Sequence, residues 1–177
     1  MNASPLPSIP GADAAGASGS NAPGRWPEGA ETIEDMINDG LLDQNVYANP
    51  TDIERLFDDA ETHLDSAENL KETDPRGAYS VMYSGVRKSL VAALLTQGLR
   101  AKGGEGGHKH VYEAVRAQLG NAAGRIVDPF DRMRRKRNQA DYDAGSPIET
   151  ADVVDDLPKA RLIVTRVRTW SKVLGPF

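Results

Sequence analysis

The sequence contains no cysteine. That excludes disulfides, thiolate metal ligands and a cysteine nucleophile, and it fits a reducing cytoplasm, the compartment expected here. Aromatic residues are scarce at 6%, so the core must be mostly aliphatic and rich in alanine. Long apolar runs are missing as well. The longest, Leu90 to Leu95, falls far short of the ~18 residues of a membrane span, so no membrane association is expected. No basic start leads into an apolar stretch, so no signal peptide is expected either. Basic residues are not in excess: 21 stand against 26 acidic ones, for a net charge of -5. The chain as a whole is therefore no nucleic-acid coat, and only a local basic patch can meet phosphate. Strand-length alternation of apolar and polar residues is absent, and so is any repeat of ~20 to 50 residues.

What is present is enough for one domain. Across 177 residues, 39% are hydrophobic and 27% charged, so a core can form and a charged surface can cover it. Residues 1–29 stand apart. They hold five of the eleven prolines and five of the seventeen glycines, with Ala, Ser and Asn filling most of the rest. Such a segment offers too little apolar surface to offset its chain entropy and is expected to be a disordered tail. Residues 30–177 form the helical domain.

From Glu31 onward the spacing is helical throughout. Ile33, Met36, Ile37 and Leu41 make a short first helix with Gly40 near its end. Asn49 and Pro50 read as the cap and first position of a second helix, whose apolar stripe runs from Ile53 through Leu64 to Leu70. Pro75 opens a third helix. Its middle, Leu90 to Leu95, is apolar almost all round, which predicts the central position in a bundle. The glycines from Gly103 to Gly107 break it. A fourth helix carries Val111, Ala114, Val115 and Leu119. Asp128 and Pro129 start a fifth that runs to about Ala144. Thr150 caps a sixth, which Pro158 should kink or split. The expected fold is all-α: an up-and-down bundle of four main helices with short extra ones.

The fifth helix is the most polar stretch. Five of the six residues from Arg132 to Arg137 are basic. At about 100° per residue, Phe130, Met133, Ala140 and Ala144 mark its buried side, and Arg137 lies within that side. Arg134, Asn138, Asp141 and Tyr142 form the adjoining stripe, while Arg132, Arg135, Lys136, Gln139 and Asp143 point to solvent. Arg134 and Arg137 thus sit at the core edge, where an unpaired charge is costly. Arg137 can pair with Asp141 one turn on, and Asn138 with Tyr142. Two readings stand. The cluster fixes helix packing or a dimer contact, or it holds phosphate, whose geometry an arginine fork matches.

Three features together resemble the HEPN superfamily (higher eukaryotes and prokaryotes nucleotide-binding). They are the helix containing Ala78-Tyr79-Ser80-Val81-Met82-Tyr83-Ser84-Gly85-Val86-Arg87-Lys88, the glycine loop ending in Gly107-His108, and the late Arg134-Arg135-Lys136-Arg137-Asn138-Gln139-Ala140-Asp141-Tyr142. The resemblance spans roughly Thr51 to Val173. It implies an up-and-down helical bundle, often a homodimer. Many members are metal-independent ribonucleases in which an arginine, commonly followed by a polar residue, precedes a histidine and two copies build a composite site. Arg137 and Asn138 match the start of that motif, and Tyr142 stands at the histidine position. A phenol with an ordinary pKa near ~10 is a poor base at neutral pH but can donate a hydrogen bond. The resemblance further implies RNA or a nucleotide as ligand, a nucleotidyltransferase partner, and a place in a toxin–antitoxin or defence system.

The expected site follows from these readings. Arg134 and Arg137 contact phosphate with Asn138, Asp141 orients Arg137, and Tyr142 adds a hydrogen bond. Under the enzymatic alternative Arg137, Asn138 and Tyr142 are the catalytic set. His108 either fixes the loop before the fourth helix or approaches the Arg134/Arg137 patch and replaces the missing motif histidine. His108 and His110, two residues apart, do not share a helix face, so no shared metal is expected, nor any cofactor. His63 reads as a half-buried packing residue. The glycine loop lacks a following Lys-Ser/Thr and a preceding strand, so it is no P-loop. The leading expectation is a protein binding RNA or a nucleotide. The alternatives are a metal-independent ribonuclease with a degenerate motif and a purely structural or protein-interaction module.

Overall fold

A computed structural model describes residues 27–103, 107–142 and 147–177, with the backbone alone for Ala122, Asp141 and Tyr142. Nearly all of the proline-rich tail, Ala144 and the end assigned to the fifth helix lie outside the described residues. Six helices stand in chain order: α1 (Ala30–Asn38), α2 (Pro50–Leu70), α3 (Pro75–Thr96), α4 (Gly107–Ala123), α5 (Asp128–Tyr142) and α6 (Thr150–Ser171). The fold is an all-α bundle.

Local chemistry sets the boundaries. The Asn49 side chain accepts from the Thr51 N–H at 2.9 Å and Pro50 takes the first turn, where its missing N–H costs nothing. Asp74 does the same for α3, accepting from the Gly77 N–H at 2.9 Å. α3 ends at Thr96, earlier than the glycine loop, because Gly98 takes the left-handed conformation (φ 76°) and turns the chain. Two-residue strands then appear where none is expected: β1 (Leu42–Asp43) pairs antiparallel with β2 (Arg100–Ala101) and ties the chain after α1 to the chain after α3. They are too short to alternate visibly in sequence.

Three further points differ from the sequence expectation. Glu149, not Thr150, caps α6. It forms a capping box with Asp152, and the Thr150 hydroxyl instead donates to the Lys71 carbonyl at 3.0 Å. Pro158 does not split α6. Its ring is exposed, and the carbonyl it leaves unpaired, that of Val154, belongs to an exposed residue that water can serve. α4 changes direction at Gly120 (φ 68°), two turns before α5 begins.

α3 is the central helix, packed against α2, α4, α5 and α6. Its buried residues include Tyr79, Met82, Tyr83, Val86, Leu90, Ala93 and Leu94, and they cover more than half its circumference, as the apolar run predicts. α2 presents Phe57, Ala60, Leu64 and Ala67 to it, and α6 presents Val153, Leu157, Ala160, Ile163, Val164, Val167 and Trp170. Gly85 is the point of closest approach between α2 and α3. A Cβ there would lie 2.9 Å from the Ala60 carbonyl oxygen and 3.0 Å from His63 Cβ. α5 closes the other side with Phe130, Met133 and Ala140 buried, and this sets the orientation of its basic residues.

Candidate functional site

α5 offers its basic residues in two directions. Phe130 and Met133 are fully buried, so the helix phase carries Arg132 and Arg135 into solvent and leaves Arg134 and Arg137 half-buried at the core edge, as expected. Lys136 departs from the solvated face: its Nζ pairs with Asp152 in the first turn of α6. That contact also holds the Asp152 carboxyl down. Burial works against the shift, and the Glu149 N–H and Lys136 outweigh it.

Arg134 is tied down by its own helix. Its Nε and Nη2 both donate to Asp131 Oδ1, at 3.0 and 2.8 Å, and Asp131 Oδ2 also takes Arg135 at 3.2 Å. A guanidinium so engaged has spare N–H groups but a partly neutralised charge. Arg137 reaches further inward. Its guanidinium carbon lies 5.8 Å from the centroid of the Tyr83 ring, within cation–π range. The opposing side of that contact is firm, because the Tyr83 ring stacks on Phe130 at 5.0 Å with only 5° between the planes.

Tyr83 then reaches across to α4. Its hydroxyl lies 2.8 Å from His108 Nδ1. Three helices therefore meet at one side chain: α3 supplies Tyr83, α4 supplies His108, and α5 supplies Phe130 and Arg137. Burial pushes the Tyr83 phenol up to about 12 despite the opposing pull of Arg87, Arg137 and Arg134. The phenol keeps its proton at any physiological pH. His108 is shifted the other way. Desolvation of its inner edge holds its pKa below 6.5, and the cations Arg87, Arg137 and Arg134 add to the effect. A protonated phenol and an imidazole share one proton across this bond, donated by the Tyr83 hydroxyl or by Nδ1–H according to the His108 tautomer, and in either case Nδ1 is the nitrogen engaged.

The structure thus places His108 and Arg137 against the same side chain, Tyr83. Asn138 is half-buried on the next turn from Arg134. The side chains of Asp141 and Tyr142 lie outside the described residues, so the Arg137–Asp141 and Asn138–Tyr142 pairs do too. At the other end of α5, Asp128 does not act only as a helix start. Its Oδ1 accepts from Tyr112 Oη at 3.0 Å and Arg116 Nε at 2.8 Å, which fixes α5 to α4. His63 is half-buried, with Nδ1 2.6 Å from the Asp59 carbonyl oxygen, and takes no part in the site.

Tyr83 and Arg87 are the residues that sequence reasoning passed over. A signal existed: Tyr79, Tyr83 and Arg87 recur every four residues along α3, so they share one face. Tyr79 is spent on structure, its hydroxyl donating to Asp156 Oδ2 at 2.8 Å. Among the described residues no helix is long and apolar enough to cross a membrane. No family model matches the chain, and neither a curated protein nor a solved structure shows significant similarity to it.

Proposed function

We propose that the chain is a HEPN-type helical protein that binds RNA or a nucleotide through the face where α3, α4 and α5 meet. The observation that carries this reading is the placement of Tyr83 between His108 and Arg137, bonded to one and under the guanidinium of the other. Arg137 and Arg134 supply N–H donors for phosphate oxygens, and His108 supplies a third from Nε2. Asn138 adds a neutral polar group on the same side. Arg132 and Arg135 extend the basic surface along α5. A homodimer, a nucleotidyltransferase partner and a role in a toxin–antitoxin or defence system belong to the same reading.

A general base needs a free lone pair on the ring nitrogen that faces the 2′-hydroxyl. Nδ1 of His108 is engaged with the Tyr83 hydroxyl, which leaves Nε2 as the nitrogen for RNA. Binding uses Nε2–H as a donor, with Tyr83 donating to Nδ1; cleavage uses the other tautomer, with Nδ1–H donating to the phenol oxygen.

One experiment separates the three functional classes. Single-stranded and structured RNA is incubated, with chelator, with the wild-type chain and with Arg137→Ala and His108→Ala. The expected result is intact RNA, with affinity lowered roughly tenfold or more in Arg137→Ala, the effect of one charge-assisted bond. Chelator-resistant cleavage that both substitutions abolish would replace binding with catalysis. Unchanged affinity alongside a lower melting temperature would leave the cluster a structural role only.

A further inference from the structure

Beside His108 the surface opens into a cleft of ≈ 250 Å³ between α3, β2 and the start of α4. Its floor is apolar, with Leu94 and Leu99 fully buried and Val91 and Val111 beside them. Its rim carries Arg87, Arg100, Lys102 and His108, and no acidic residue lines it among the described residues. The cations come from three stretches of chain, Arg87 from α3, Arg100 and Lys102 from β2 and the residue after it, and His108 from α4, so the arrangement is not the solvated face of one helix. Lys102 is only loosely engaged, 3.5 Å from Asp43. Arg87 has no carboxylate partner among the described residues, although it is half-buried, and it is the foremost charge acting on both Tyr83 and His108. A half-buried guanidinium without a counter-ion is an unfavourable arrangement for a group whose only task is folding.

We infer that this cleft is a binding site for a small phosphomonoester with a compact apolar body, its phosphate held by Arg87, Arg100 and Lys102 and its apolar group seated on Leu94 and Leu99. Two guanidinium groups and an ammonium match a dianion better than a carboxylate. The volume lies just below the range of drug-sized sites, which suits a single ring and excludes a longer chain. His108 stands at the rim, so an anion in the cleft favours the charged imidazole and draws a proton onto it. The inference does not depend on RNA binding, since it concerns a separate cleft that shares only His108 with the α5 face.

The test uses the full chain and three probes: phenyl phosphate, inorganic phosphate and benzyl alcohol. Heats of binding are measured by titration, and the His108 ring protons are followed by NMR from pH 5.5 to 7.5. Phenyl phosphate is expected to bind and to raise the His108 pKa. Inorganic phosphate, lacking the apolar group, is expected to bind at least about tenfold more weakly, and benzyl alcohol not to bind. Arg87→Gln and, separately, the surface variant Arg100→Gln are each expected to weaken phenyl phosphate about tenfold, with Arg55→Gln on the exposed side of α2 leaving it unchanged. Equal affinity for the two phosphates would mean surface charge alone and would overturn the proposal. So would binding that survives both cleft substitutions, or a His108 titration that phenyl phosphate does not move. Loss of RNA affinity in Arg137→Ala bears on the α5 face and leaves this outcome untouched.

Discussion

At the scale of single residues, Tyr83 has the widest reach. It is 2% exposed, stacks on Phe130, carries Arg137 on its ring and shares a hydrogen bond with His108. The consequence for pH follows from the His108 shift. In the unfolded chain His108 titrates near 6.5, and in the folded protein below that. Between the two values the unfolded state binds more protons, so stability rises with pH there. The folded protein is therefore expected to lose stability as pH falls through about 6.5 and to level off below the folded pKa of His108. His108→Gln should flatten that part of the profile while leaving the acid limb set by carboxylates such as Asp59 and Asp152. Denaturation midpoints between pH 5 and 8 check this. A wild-type profile flat across pH 6, or one whose slope survives His108→Gln, would show that His108 is not held neutral by the cluster.

At the scale of elements, the α2–α3 crossing decides the packing. An alanine in place of a helical glycine ordinarily stabilises by about 1 kcal/mol. Gly85 should behave oppositely. The added Cβ meets the Ala60 carbonyl oxygen at 2.9 Å, and backbone cannot rotate out of the way as a side chain can. Gly85→Ala is expected to destabilise by about 1–3 kcal/mol, the usual cost of overpacking, read from urea unfolding. A gain in stability would mean the helices slide apart freely. α2 is also clamped from α6: Arg168 reaches Glu54, Asp58 and Glu61 at 2.8–2.9 Å, and its guanidinium lies 5.7 Å from the Phe57 ring. The elements themselves were legible because their signals are local: Asn49-Pro50, Asp74-Pro75 and the apolar stripe of α3 act within one or two turns. The buried phase of α5 was legible for the same reason, which placed Arg137 at the core edge. The short strands, the Glu149 cap and the Tyr83–His108 bond were not. The strands and the Tyr83–His108 bond depend on contacts between distant parts of the chain, and no spacing rule reports that His108 of α4 will meet a tyrosine 25 residues earlier on α3. The Glu149–Asp152 box is local, but Thr150 is the better cap by residue type, and its hydroxyl goes to the distant Lys71 carbonyl instead.

At the scale of the whole molecule, charge is segregated. α2 carries seven acidic residues and one arginine, whereas the six residues Arg132–Arg137 of α5 include five bases. α3 packs against both helices, so the central helix divides an acidic side from a basic one. Helix axes in contact lie about 8–10 Å apart, and the Debye length at physiological salt is about 8 Å. Repulsion from α2 is thus largely screened at the α5 face, yet the net charge of -5 gives no broad attraction to draw a polyanion in. Only the cations that touch phosphate should release counter-ions. Arg134, Lys136 and Arg135 are partly neutralised by Asp131 and Asp152, which leaves about three or four effective contacts, and for a single strand a slope of log Kd against log salt of about 2 to 3. Fluorescence anisotropy with a labelled single-stranded RNA from 50 to 300 mM salt measures it. A slope near zero would remove phosphate contact from the α5 face. A slope of about 6 or more would need more phosphate contacts than the five bases of this face supply, and would place the RNA along a longer path that takes in the Arg87–Arg100 cleft as well.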